Sequence, residues 1–195
     1  MSTHSGKMLR EALCSSLLSL LISSVSAGQP RGSNQLTTEG QKNQMGEITG
    51  FFHGGITVKN MDESLRFYHE GLGLPLKFDR LLDGPYLNVV LNLTQKSIRA
   101  AYLDIPGGGF IELLEYQGIE RFDASARPCD YGSGHFCFYV EGIDEIAQRL
   151  FSMGYRARSE DCVDITAGPN QGARSLYMKD PDGYYIELFQ KAPGK

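Results

Sequence analysis

Four residues stand out for the chemistry they could do: His53, Glu112, His135 and Glu187. Imidazole nitrogens and carboxylate oxygens together suit a borderline or hard divalent ion such as zinc, nickel, cobalt, manganese or iron(II). Both glutamates lie inside apolar runs, FIELLEY (110–116) and YYIELFQ (184–190), where an unpaired ionised carboxylate is costly and a cation would neutralise it. Taken singly, each has an ordinary explanation. A strand histidine is more often a satisfied core or edge side chain, and a strand glutamate more often faces solvent by alternation. Glu115 is one residue out of phase with Glu112 and is expected on the opposite face. His4 falls in the leader, and His69 sits among Arg66 and Glu70 on a helix, so neither joins the set.

Repetition is what groups the four. His53-Gly-Gly-Ile-Thr-Val58-Lys-Asn-Met61-Asp62-Glu63 aligns without a gap to His135-Phe-Cys-Phe-Tyr-Val140-Glu-Gly-Ile143-Asp144-Glu145 at an offset of 82. Phe110-Ile-Glu112-Leu-Leu114 aligns to Tyr185-Ile-Glu187-Leu-Phe189 at an offset of 75. Two matches in the same order indicate a duplicated supersecondary unit. The duplication places one histidine on the first strand and one glutamate on the last strand of each unit. Convergence on one ion, within one chain or across a dimer that exchanges modules, follows from the near-twofold relation.

The elements that must position them have the same local grammar twice. Phe51 to Val58 reads as a strand, and Asn60 with Glu63 forms a capping pair for a helix carrying Met61, Leu65, Tyr68 and Leu72. In the second unit His135 to Val140 is the strand. Ile143, Ile146, Ala147, Leu150 and Met153 make the helix stripe, which Gly154 ends. Further strands are expected at Tyr86–Leu93, Arg99–Ile105 and Phe110–Tyr116, then at Ala157–Ile165, Ser175–Lys179 and Tyr184–Gln190. Pro106-Gly-Gly-Gly109 and Asp180-Pro-Asp-Gly183 read as hairpin turns. The fold class is therefore α+β: two tandem βαβββ modules, residues 48–118 and 132–191, forming a curved mixed sheet around a metal-binding cleft. One unit alone is too small to bury its sheet face.

Residues 1–27 read as a secretory signal. Ala12–Ala27 is uncharged and follows Lys7 and Arg10, and small residues precede Gly28. That points to a secreted or periplasmic protein, with an organelle-targeting leader as the alternative. Residues 28–47 are polar and aperiodic, as in a disordered linker. The whole chain of 195 residues is 41% hydrophobic with a net charge of -4, which gives no electrostatic reason to expect nucleic acid. No apolar run is long enough to span a bilayer, so no stable membrane insertion is expected once the signal is removed. Cys129, Cys137 and Cys162 are odd in number and lack zinc-site spacing.

These stretches resemble the vicinal oxygen chelate superfamily, which includes glyoxalase I, methylmalonyl-CoA epimerase, fosfomycin-resistance proteins and extradiol dioxygenases. The resemblance is carried by HGGITVKNMDESLRFYHEGLGL (53–74), FIELLEY (110–116), GHFCFYVEGIDEIAQRL (134–150) and YMKDPDGYYIELFQ (177–190). It implies paired βαβββ modules and one divalent ion held at His53, Glu112, His135 and Glu187. It also implies a small substrate that chelates the ion through neighbouring oxygens and is deprotonated by a glutamate, Glu187 first with Glu112 as its counterpart. The His-Glu-His-Glu set is that of glyoxalase I, so a lyase or isomerase is expected. Thr57 and Tyr116 stand where that enzyme commonly has the arginine and asparagine that anchor glutathione. A dioxygenase, an epimerase and a metal-free bleomycin-resistance-type binding protein are the alternatives. In the last, Tyr86, Tyr102, Tyr116, Tyr139 and Tyr177 would furnish an aromatic cleft. A homodimer is compatible with all of these.

Overall fold

The computed structural model describes residues 46–124 and 126–194. The expected signal peptide at 1–27 and most of the linker at 28–47 lie outside them. Ile48 to Lys195 forms one compact unit. Its order is β1 (His53–Thr57), α1 (Met61–Leu65) continuing as a π-helical turn (Arg66–Gly71), β2 (Leu76–Leu82), α2 (Tyr86–Leu91), β3 (Ser97–Asp104) and β4 (Phe110–Gln117). The second half has β5 (His135–Tyr139), α3 (Ile143–Ser152), β6 (Val163–Asp164), β7 (Arg174–Lys179) and β8 (Tyr185–Gln190).

The eight strands divide into two four-stranded mixed sheets, ordered β1-β4-β3-β2 and β5-β8-β7-β6. In each, the first strand runs parallel to the last and the other pairings are antiparallel. This is βαβββ twice, as α+β packing requires.

Local chemistry explains the helix starts. Asn60 accepts hydrogen bonds from the amides of Asp62 and Glu63 at 3.0 and 3.2 Å. The last strand of each module completes the cap: Glu115 accepts from the Met61 amide and Gln190 from the Ile143 amide, both at 2.9 Å. Glu115 thus faces the helix, opposite to Glu112, as alternation expects.

Two of the expected strands need correction. Tyr86–Leu93 is not a strand: Tyr86–Leu91 is a short helix with no buried residue, ended by Asn92 at φ +51. The position beside β3 is taken instead by Leu76–Leu82, which pairs with Ile98–Leu103. Ala157–Ile165 shrinks to the two-residue β6 and an isolated bridge between Ala157 and Met178.

One core joins the modules. Met61, Phe67, Tyr68, Leu103, Ile111 and Leu113 from the first share it with Ile143, Leu150, Leu176, Met178 and Ile186 from the second. Polar links hold the same joint. The Arg149 guanidinium donates to the Gly71 carbonyl at 2.7 Å, and the Lys59 amide to the Asp182 carboxylate at 2.9 Å.

At Gly54, on the same joint, an added Cβ would sit 2.3 Å from Phe136 Cζ. Gly54→Val is therefore expected to destabilise the protein by about 1–3 kcal/mol through overpacking. Urea unfolding checks this, and an unchanged midpoint would show that Phe136 simply moves aside.

Candidate functional site

Because one face of each sheet is spent on the shared core, the chemistry lies on the other. Ile56, Ile111 and Leu113 point inward, so His53, Gly55 and Glu112 occupy the outer face of the first sheet. Phe136, Leu176, Met178 and Ile186 point inward in the second, leaving His135, Cys137, Ser175, Tyr177 and Glu187 outward.

Within each sheet the expected pair meets. His53 Nε2 lies 3.1 Å from Glu112 Oε2, and His135 Nε2 lies 3.4 Å from Glu187 Oε2. Both glutamate side chains are 15% exposed, against 31% for His53 and 43% for His135. Across the sheets they do not meet: no group of three or more His, Cys, Asp or Glu side chains able to hold an ion forms among the described residues. Within this chain the four side chains therefore stand as two half-sites, one per sheet.

Tyrosines complete each half in a way the sequence reading assigned only to a ligand cleft. Tyr102 pairs with Glu112 across β3 and β4, and Tyr177 with Glu187 across β7 and β8. The repeat held this signal, since the two tyrosines are related by the same offset of 75 as the glutamates. Tyr177 Oη donates to Glu187 Oε2 at 2.9 Å and lies 3.1 Å from His135 Nε2. Ser175 Oγ donates to Glu187 Oε1 at 2.7 Å.

Burial, then the hydrogen bond to Glu187, pushes the Tyr177 hydroxyl up to about 12. Burial and then Glu112 do the same to Tyr102, also to about 12. The Cys137 thiol, registered against Glu187, is likewise raised to about 12, by desolvation first and the Glu187 charge second. It is therefore a protonated neighbour and not a ready thiolate.

Around His53 the face is aromatic: Phe52 lies 4.8 Å and Tyr102 5.8 Å from its ring, and Phe110 stacks on Tyr102 at 5.4 Å. Tyr116 stands on the same face as Glu112, its hydroxyl raised by burial and then by that carboxylate. Tyr86 is 62% exposed on α2. His69 is also exposed, its Nδ1 2.7 Å from the Leu74 carbonyl. A cavity of about 780 Å³ opens at the joint between modules, lined by Val58, Arg121, Ser133, Asp182 and Tyr184. Neither His–Glu pair lines it.

The donor atoms fit a divalent ion. Ligands at about 2.1 Å and at right angles on one ion are about 3 Å apart, close to the 3.1 and 3.4 Å of the two pairs. Each half supplies one nitrogen and one oxygen, the borderline-to-hard set that such ions take.

Similarity to known proteins covers most of the described residues. The family model of the Glyoxalase/Bleomycin resistance protein/Dioxygenase superfamily matches residues 50–188. A 2-epi-5-epi-valiolone epimerase of Actinomyces sp. is 28% identical over 146 residues, 73% of this chain and 79% of that one. The lactoylglutathione lyase of Oryza sativa subsp. japonica is 27% identical, over 72% of this chain but only 43% of its own length. This chain therefore spans less than half of the rice protein. A glyoxalase family protein from Bacillus cereus shares the fold with a TM-score of 0.66 at 23% identity, over 76% of this chain and 98% of that one. The duplicated module, its strand order and the reach of the match agree, and the chain belongs to the Glyoxalase/Bleomycin resistance protein/Dioxygenase superfamily.

Proposed function

We propose that this protein is a divalent-metal-dependent lyase or isomerase of the glyoxalase type. The observation that carries this reading is the repeated pairing of a histidine nitrogen with a glutamate oxygen, at 3.1 and 3.4 Å, on the outer face of each sheet. His53, Glu112, His135 and Glu187 would hold the ion, each sheet supplying half. A homodimer that sets the first sheet of one copy against the second sheet of the other would complete the set of four. A bound ion with free positions polarises a carbonyl or hydroxyl oxygen and so acidifies the neighbouring C–H.

The chain's own residues do the rest. One glutamate of the site accepts the substrate proton and returns it at a neighbouring carbon, a transfer that needs no outside oxidant or reductant. Tyr177 donates a hydrogen bond to Glu187, and Tyr102 stands across the strand pair from Glu112. The aromatic rings around His53 exclude water from one side.

Thr57 and Tyr116 leave the usual glutathione contacts unmade, so the substrate is read as a small molecule with vicinal oxygens other than a glutathione adduct. Similarity to an epimerase over most of its length favours epimerisation as the second reading, because it uses the same proton transfer.

A screen in deuterated solvent with zinc, nickel, cobalt, manganese or iron(II) tests the proposal. Hemithioacetals, 2-substituted acyl esters and hydroxyketones are expected to include one that gains deuterium beside its chelating oxygen only when metal is present. Turnover that persists in chelator, or a catechol consumed with dioxygen instead, would overturn it.

A further inference from the structure

The two half-sites are built differently, and four observations point the same way. Glu187 has both oxygens engaged, Oε1 by Ser175 at 2.7 Å and Oε2 by Tyr177 at 2.9 Å. In the first module the position equivalent to Ser175 is Ala100, paired with Leu114 as Ser175 is with Phe189, and it has no hydroxyl to give. The neighbour of Glu187 on the adjoining strand is Cys137, whereas Glu112 faces Gly55, which has no side chain and where an added Cβ would sit 3.5 Å from Glu112 Oε2.

The fourth observation concerns the histidines. Ligation through Nε2 puts the ring proton on Nδ1. At His53, Nδ1 is buried and without a hydrogen-bond partner, so that proton would be stranded at the cost of an unpaired buried donor. His135 is 43% exposed in its side chain, and its other nitrogen carries no such penalty.

We infer that the second module is the anchoring half of the metal site, with Ser175 and Tyr177 as positioning residues that hold Glu187 in ligand geometry, and that the first module is the looser half. The inference rests on the metal-dependent reading above. It has a consequence for the chemistry. A carboxylate gripped on both oxygens is poorly placed to leave its position and collect a proton. That role falls to Glu112, the reverse of the order expected from the resemblance alone.

Equilibrium dialysis of the full chain against zinc alone tests the inference, with cobalt as a second probe. Ser175→Ala and Tyr177→Phe are each expected to weaken zinc binding about 10- to 100-fold, the range for lost outer-shell support. Glu187→Gln is expected to weaken it at least about tenfold more than Glu112→Gln does, and Tyr102→Phe less than Tyr177→Phe. Ser175→Thr, which keeps the hydroxyl, should restore binding if Ser175→Ala unfolds or binds poorly, and metal-free unfolding midpoints separate the two cases. Equal losses in both modules, or a larger loss in the first, would overturn the anchoring assignment while leaving the metal reading intact. A wild-type protein that takes up no ion would remove both.

Discussion

Glu187→Gln and His135→Ala are expected to purify without the divalent ion proposed for the parent, and to lose turnover together with it. Metal analysis of protein prepared without chelator reads the first effect directly. Both substitutions take a donor from the half-site whose carboxylate is held in place by Ser175 and Tyr177, and leave the ion to the looser first half. Glu112→Gln should behave differently. With zinc in excess it is expected to keep its ion and still lose about 10²- to 10⁴-fold in turnover, the usual contribution of a positioned proton acceptor. The informative result is the split between the variants: loss of ion and activity in one module, loss of activity alone in the other. A parent protein without metal, active or not, would sink the reading on which both expectations stand.

The second large effect concerns stability and lies away from the site. Asp180 is 4% exposed and Tyr68 is fully buried, and the Tyr68 hydroxyl donates to Asp180 Oδ2 at 2.8 Å. Asp180 Oδ1 accepts from the amides of Asp182 and Tyr184 at 3.0 and 2.7 Å, closing the turn that Gly183 completes at φ +91. One carboxylate therefore ties the helix of the first module to the β7–β8 hairpin of the second. Asp180→Ala leaves the Tyr68 hydroxyl buried without an acceptor and frees two turn amides. A loss of about 3–5 kcal/mol is expected in urea unfolding, because buried unpaired groups cost about 1–3 kcal/mol each. Asp180→Asn retains an acceptor for the turn and should lose less.

The pH dependence of that pair of proteins has a definite sign. Burial raises Asp180 above the ordinary carboxylate value of 3.8, against the pull of its hydrogen bonds from Tyr68, Tyr184 and Asp182. A group raised in the folded state contributes stability that is fully present below its unfolded value and is lost as pH rises through its folded one. The wild type should therefore gain on Asp180→Asn as the pH is lowered from neutrality toward 3.8. A difference that shrinks on acidification would mean that the hydrogen bonds outweigh burial.

Much of this was legible in the linear order of residues because it depends on contacts close in sequence. The Asn60 cap, the Asp180-Pro-Asp-Gly183 turn and the alternation that separates Glu112 from Glu115 are each decided within a few positions. Tyr86–Leu93 was misread for the complementary reason. Its valines suit a strand, but the place beside β3 belongs to Leu76–Leu82, and Tyr86–Leu91 closes as a helix that Asn92 ends at φ +51. The clamp on Glu187 was hidden as well. Ser175 and Tyr177 come into reach only when β7 and β8 pair in one particular register.

The sequence by itself determined the duplicated α+β fold and the placing of one histidine and one glutamate at equivalent strand positions of each module. Repetition along the chain is sufficient for that, because equivalent positions in equivalent units acquire equivalent local structure. Only the tertiary structure decided which faces are consumed by the core, and so placed the donors in two separate pairs. It also decided that the pairs are unequal. That inequality arises from residues brought alongside across strands, Ser175 against Ala100 and Cys137 against Gly55, whose effect on a carboxylate exists only once the sheets have formed.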